Sequence, residues 1–200
     1  MPDEPGRGRD PGTAERPATV PLIRAGSVFL RSAEREDIPL FVRWFTDSRT
    51  TRTLALRTPM SLAMEEGWFE RLLEVQGRET WHFVICRTDD RRPIGTIGLH
   101  EVDLVNGNAS LGIAIGDPSD TGRGHGTDAI HALVDFGFGE LRLERIWLDV
   151  YAYNERARRV YERVGFVLEG TLRHALYREG AFHDVDRMSM LRDEWAGRRS

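Results

Sequence analysis

Thr121-Gly122-Arg123-Gly124-His125-Gly126-Thr127-Asp128-Ala129-Ile130 is the stretch of this 200-residue chain whose reading decides the fold. Three glycines at alternate positions follow residues 111–115, whose apolar character predicts a strand. They precede a run in which Ile130, Leu133, Val134 and Phe138 fall at helical spacing. Glycine has no Cβ, so successive N–H groups can close on a ligand. The helix after the loop adds four unpaired N–H groups and the positive end of its dipole. Together these form a cradle for a phosphate or pyrophosphate, to which Arg123 adds a full charge. Two other phosphate loops are excluded. A nucleoside-triphosphate loop needs Gly-Lys, and all 28 basic residues here are arginine. A dinucleotide fingerprint reads Gly-x-Gly-x-x-Gly near the start of its domain, whereas this Gly-x-Gly-x-Gly lies past mid-chain.

A second motif follows about thirty residues later: Asn154-Glu-Arg-Ala-Arg-Arg-Val-Tyr161-Glu-Arg-Val-Gly165-Phe166. Asn154 is a good N-cap, because its side chain accepts from the first free N–H groups of a helix. Ala157, Val160, Tyr161 and Val164 define one buried face. Gly165 suits the left-handed position that closes a helix, and Phe166 opens the next strand. The glycine turn followed by Asn-(six residues)-Tyr-(three residues)-Gly-Phe resembles the GNAT superfamily of N-acetyltransferases, over roughly residues 28–195. The ending Gly180-Ala-Phe-His-Asp184, then Met188-Ser-Met-Leu-Arg-Asp-Glu-Trp195, is similar to the ribosomal-protein N-terminal (Rim-type) branch. That branch also contains small-amine and antibiotic acetyltransferases.

The chain length suits one domain with a sizeable core. Its 40% hydrophobic and 30% charged content is ordinary for a globular protein. A net charge of −4 gives no reason to expect a nucleic-acid partner. The single cysteine, Cys86, excludes an internal disulfide and reads as a buried thiol in the run Phe83-Val-Ile-Cys86. No run approaches the length of a membrane span and the N-terminus lacks an apolar signal core, so a cytoplasmic location and no membrane partner are expected. The six histidines show no tight ligand spacing, and no metal is expected.

Residues 1–24 are rich in Pro, Gly, Arg and acidic residues and are expected to form a disordered tail. The acetyltransferase domain is expected over residues 25–196, with a short tail over 197–200. Strands are predicted at 28–31, 81–88, 94–101, 109–115, 145–151, 166–176 and 183–191. Ile38, Phe41, Val42 and Phe45 predict a helix, and Ser61 caps another carrying Met64, Trp68 and Leu72. The glycine-loop helix is placed at 127–138. Because a helix connects 109–115 to 145–151, those strands should run parallel. The expected fold is a single α+β GNAT-like domain. Its mixed, mostly antiparallel sheet has about seven strands, helices on both faces, and a splayed parallel pair at the cofactor site.

The resemblance implies transfer of an acetyl group from acetyl-CoA to a primary amine. The acceptor is a protein N-terminus, a polyamine or an aminoglycoside-like small molecule, and the protein is a monomer or homodimer. It implies that Gly122, Arg123, Gly124, His125, Gly126 and Thr127 hold the pyrophosphate, that Ile113, Ala114 and Ile115 line the pantetheine arm, and that Asn154 meets pantetheine. Tyr161 would face the sulfur and donate to the departing thiolate. The family loop usually begins with Arg or Gln, where this chain has Thr121, which removes one side-chain contact. Many relatives carry a carboxylate on the strand before the loop, and 109–115 has none. Glu101 and His100, at the end of the preceding strand, are the nearest candidate bases; a water chain ending on backbone carbonyls is the leading account of deprotonation. Glu65, Glu66 and Asp47 are the acidic residues that would attract a polycation. A non-catalytic acyl-CoA sensor is the alternative function.

Overall fold

The computed structural model describes residues 23–57 and 59–198. Its centre is one eight-stranded sheet of order β1-β2-β3-β4-β5-β6-β8-β7. The strands are β1 (Ile23–Ala25), β2 (Val28–Ser32), β3 (Trp81–Arg87), β4 (Pro93–Asp103), β5 (Asn108–Ile115), β6 (Arg145–Tyr151), β7 (Val167–Arg178) and β8 (Ala181–Leu191). The helices are α1 (Ile38–Thr46), α2 (Ser48–Thr51), α3 (Leu62–Val75), α4 (His125–Gly139), α5 (Glu155–Val164) and α6 (Arg192–Gly197). All strand pairs are antiparallel except β5–β6. The sequence expectation of a mostly antiparallel sheet with one parallel pair therefore holds.

Three details differ from the sequence reading. An eighth strand, β1, forms from residues 23–25, two of which fall within the expected tail; the rest of that tail lies outside the described residues. Its three residues pair with β2 across a Gly26–Ser27 turn, too short a run to show a period. The loop helix begins at His125, two residues early, because Gly124 at φ 91 serves as its cap. A terminal helix, α6, occupies residues 192–197, so the expected tail overlaps its last residue.

Alternation along the strands divides the core. Ile97, Leu99, Ala109, Leu111, Ile146, Leu148, Met188 and Met190 face α4, whose Ile130, Leu133 and Phe138 complete the larger cluster. The opposite face carries Phe29, Val84 and Cys86 against Phe41 and Trp44 of α1. Burial of these side chains supplies most of the stabilisation, at about 25 cal/mol per Å² of apolar surface. Local signals close the elements: Ser61 Oγ accepts from Met64 N at 3.2 Å, and Asn154 Oδ1 accepts from Ala157 N at 3.2 Å. Gly165, at φ 121, ends α5 by donating to the Tyr161 carbonyl at 2.9 Å.

Candidate active site

β5 and β6 are joined only over Asn108–Arg145, Ala109–Ile146 and Ser110–Trp147. Beyond Ser110 and Trp147 they diverge, while β5 stays paired to β4 as far as Ile115. Along the gap, peptide groups of residues 111–115 that would face β6 have no strand partner among the described residues. A buried polar backbone group without a partner is costly, so the gap favours a ligand with amides of its own.

The glycine loop stands at one end of this gap. Gly122 and Gly124 adopt φ 82 and 91, a region that side chains with a Cβ enter only with strain. A Cβ built on Gly124 would meet nothing within 4 Å among the described residues, which leave the space above this cap open. One on Gly122 would stand 3.2 Å from Arg156 Nη2, which brings the first turn of α5 against the loop. Gly126 differs: it lies inside α4, and a Cβ there would make ordinary contacts of 3.9 Å with Ile113 and Ile115. The residues present thus fit a pyrophosphate, with open backbone N–H groups at a helix N-terminus and an arginine at the rim. Arg158 and Arg159 are held instead by Glu162 at 3.0 Å and Glu155 at 2.5 Å.

His125, the first residue of α4, is buried and faces away from solvent into a clasp that the sequence did not disclose. Ser27 Oγ donates to Asp128 Oδ2 at 2.7 Å, Ser27 N donates to the same oxygen at 2.8 Å, and Ser27 Oγ lies 2.7 Å from His125 Nδ1. The hydroxyl has one proton, which Asp128 receives, so Nδ1 of His125 is the donor in the third bond. The β1–β2 turn is thereby locked onto the first turn of α4. Gly26 is needed there, since a Cβ would fall 2.4 Å from Asp128 Oδ2.

Tyr161 packs into the main core and meets Phe166 edge-on at 6.0 Å. Burial pushes its phenol up to about 12, so it stays protonated throughout the physiological range. Against a thiol near 8.5, complete proton transfer from such a phenol is uphill, whereas a hydrogen bond to a thiolate is favourable. Glu101 is exposed and sits at φ 51, where β4 slips its register against β5 between His100 and Asp103. His100 is half-buried, its ring lying over Gly98 and Gly112, and burial lowers its basicity while Glu101 opposes that.

The segment around α2 crosses the gap. Thr50 Oγ1 donates to the carbonyl of Gly116, just past β5, at 3.1 Å. Tyr153, just past β6, donates to the Arg52 carbonyl at 2.7 Å, and Arg178 Nη2 donates to the carbonyls of Leu54 and Leu56 at 2.5 and 3.1 Å. The two diverging strands are bridged on the α1 side of the sheet.

The acidic residues suggested for a polycation differ in their surroundings. Asp47 caps α2 and pairs with Arg49 at 2.7 Å, Glu66 is exposed in the field of Arg35, and Glu65 is buried, its carboxyl pushed up by desolvation. Asp149 and Glu179 are paired to Arg187 and Arg52. Trp44 is a core wedge: it covers Gly116 so closely that a Cβ there would stand 2.0 Å from its ring. Among the described residues, no group of three or more His, Cys, Asp or Glu could hold a metal, and no helix is long and apolar enough to cross a membrane.

A parallel strand pair that opens beside a glycine-capped helix N-terminus defines a class of protein built to hold a long, amide-bearing ligand with a pyrophosphate head. Residues 27–167 match the family model described as Acetyltransferase (GNAT) domain, and the chain belongs to that family. It is an acetyl-CoA-dependent N-acetyltransferase in class. It is 40% identical over 103 residues to YdaF of Bacillus subtilis (strain 168), provisionally named a ribosomal N-acetyltransferase; the match covers 52% of this chain and 56% of that protein. It is 33% identical to the spermidine N(1)-acetyltransferase of Vibrio cholerae serotype O1 (strain ATCC 39315), over 84% of this chain and 95% of that one. The crystal structure of spermidine N-acetyltransferase from Vibrio cholerae in complex with CoA and spermine superposes with a TM-score of 0.79 at 25% identity, covering 85% and 98% of the two chains.

Proposed function

We propose that this protein transfers the acetyl group of acetyl-CoA directly to a primary amine, and that the amine belongs to a protein N-terminus or to a small molecule of low positive charge. The observation that carries this reading is the gap between β5 and β6 with the open, left-handed Gly124 at its head. Backbone N–H groups of residues 122–127 hold the pyrophosphate, helped by Arg123 and Arg156, with His125 fixing the first turn of α4. Residues 113–115 line the pantetheine arm, and the amide nitrogen of Asn154 meets it while its oxygen caps α5. An N–H near Ala114 or Ile115 receives the developing oxyanion. Tyr161 donates a hydrogen bond to the departing sulfur.

The choice of acceptor rests on charge. A polyamine binds best to several unpaired carboxylates, and here Asp47, Asp149 and Glu179 are paired to arginines and Glu65 is buried, which leaves Glu66 alone exposed among them. The spermidine acetyltransferase relatives make polyamines the comparison to beat. The test is a free-thiol assay with acetyl-CoA against spermidine, an aminoglycoside, a monoamine and peptides with free N-termini. Turnover of the peptides or the monoamine above spermidine is expected. Preference for spermidine would overturn the acceptor assignment, and CoA binding without turnover of any amine would identify a sensor instead.

A further inference from the structure

We propose that His100 takes the proton from the acceptor's ammonium group and that the buried His82 passes it on to a cavity beside α3. This rests on the acetyl-transfer reading above. In that reaction an ammonium and a thioester become an amide and a thiol, so one proton per turnover must leave the acceptor side. No carboxylate on β5 is available to receive it.

His82, Gly98 and Gly112 lie in one row across β3, β4 and β5, since His82 pairs with Gly98 and Gly98 with Gly112. His100 lays its imidazole over both glycines: a Cβ on Gly98 would stand 3.0 Å from its ring, and one on Gly112 3.4 Å from Nε2. A Cβ at Gly98 would press on the ring and on the Trp81 carbonyl, whereas one at Gly112 would make only ordinary contact with the ring. Gly112 is two residues past Ser110, where β6 departs, so His100 occupies the mouth of the gap. Behind it, the rings of His82 and His100 have centroids 6.0 Å apart, a spacing that one water or a small ring rotation closes.

His82 is 8% exposed, and neither of its ring nitrogens has a hydrogen-bond partner among the described residues. Leaving such groups unpaired is costly, and an apolar side chain would avoid that loss. The surroundings hold the residue by its backbone alone: Gln76 Nε2 donates to the His82 carbonyl at 3.2 Å, and His82 N donates to Gln76 Oε1 at 3.0 Å. Trp68 fixes the ring edge-on at 5.0 Å. His82 borders a cavity of about 530 Å³ whose wall also carries Ser32, Glu34, Arg35 and Glu36, with both ring nitrogens shielded from solvent. The groups facing the pair are Glu101 beside His100, Arg187 facing Glu101, and the carboxylates across the cavity.

The step balances without a co-reactant. One nitrogen of neutral His100 accepts the ammonium proton, and the N–H electron pair stays on the amine, which attacks the thioester carbonyl. The proton on the other nitrogen of His100 moves to His82, and His82 releases one from its far nitrogen to a water that enters from the neighbouring cavity when the ring turns towards it. Burial keeps both rings neutral near pH 7, as a relay of this kind requires.

The test compares wild type, His100→Ala, His82→Phe and Glu101→Gln with the best amine from the thiol assay. His100→Ala should lose about 100-fold or more in kcat, keep its CoA affinity, and regain activity when imidazole is added. His82→Phe should lower kcat in dilute buffer and recover as buffer concentration rises, whereas wild type shows no buffer dependence. Full activity of folded His100→Ala, a defect in it that imidazole leaves untouched, or buffer-independent wild-type turnover in His82→Phe would overturn the proposal. So would a Glu101→Gln defect that matches His100→Ala and removes the same limb of the pH profile. One arm needs no acceptor: the NMR titration of His100 should shift in His82→Phe, and identical titrations would show the rings uncoupled. Failure of every amine with wild type would instead overturn the acetyl-transfer reading.

Discussion

Ser110 and Trp147 are the last residues that β5 and β6 pair across. One residue further on, β5 keeps its bonds to β4 but has lost those to β6. The sheet does not bend away at this point; it opens, and the α2 segment ties the two sides together through Thr50 and Tyr153. The cleft is therefore backbone on its two long edges and glycine at its head.

The first prediction separates the two kinds of glycine in the loop. Gly124→Val adds a side chain to open space and forces a left-handed β-branched residue, a strain of about 1–3 kcal/mol. It should fold with a lower Tm and show no stabilisation by CoA. Gly126→Ala, whose Cβ makes ordinary contacts, should retain the gain of about 2.7 kcal/mol expected at about 100 times Kd. Thermal melts with and without CoA read both.

Tyr161→Phe keeps the packing against Phe166 and removes the hydroxyl. Its kcat should fall about 10²- to 10⁴-fold with CoA affinity unchanged. Because the phenol lies near 12, wild-type kcat should show no limb from this residue below pH 10. Wild-type turnover in the variant would return Tyr161 to the core.

Arg156 touches the loop at Gly122, whereas Arg159 is paired to Glu155. Arg156→Ala should weaken CoA binding and flatten its dependence on salt, and Arg159→Ala should do neither. Isothermal titration at two salt concentrations distinguishes them.

Arg31 and Asp37 form a buried bidentate pair at 2.6 and 2.7 Å, and Asp37 also accepts from Glu34 N. Asp37→Ala would leave the guanidinium buried without its partner. A loss of about 3–5 kcal/mol in denaturant unfolding is expected. A loss under about 1 kcal/mol would mean that water reaches the site and screens it.

His82 gives a dependence of stability on pH. Its folded-state value is lowered to about 3, while the unfolded ring takes a proton near 6.5. Between those values the unfolded chain binds the extra proton, so this residue's contribution is complete above pH 6.5 and drains away as pH falls towards about 3. His82→Phe should flatten the acid limb by a few kcal/mol, since the ring costs the folded protein about 1.4 kcal/mol for each pH step in that window. Denaturant melts from pH 7 to pH 4 measure it; parallel curves for the two proteins would show that the ring protonates in the folded state.

The sequence by itself determined what depends on near neighbours. Alternate glycines before a 3.6-residue repeat, Asn154 as a cap, Gly165 as a stop and Ser61 before Leu62 are local signals, because capping and left-handed backbone are settled within one turn of chain. The parallel run of β5 and β6 also follows locally, from the helix that joins them. Only the tertiary structure decided what depends on residues far apart in the chain. The clasp of Ser27 on His125 and Asp128 joins groups about a hundred positions apart, and no periodicity announces it. The seating of His100 on Gly98 and Gly112 exists only because β4 and β5 align in one register, and a slip of one residue would turn the ring to the other face. Charge is likewise legible in a sequence, but which arginine neutralises it is decided by the folded chain: Asp149 meets Arg187 and Glu179 meets Arg52.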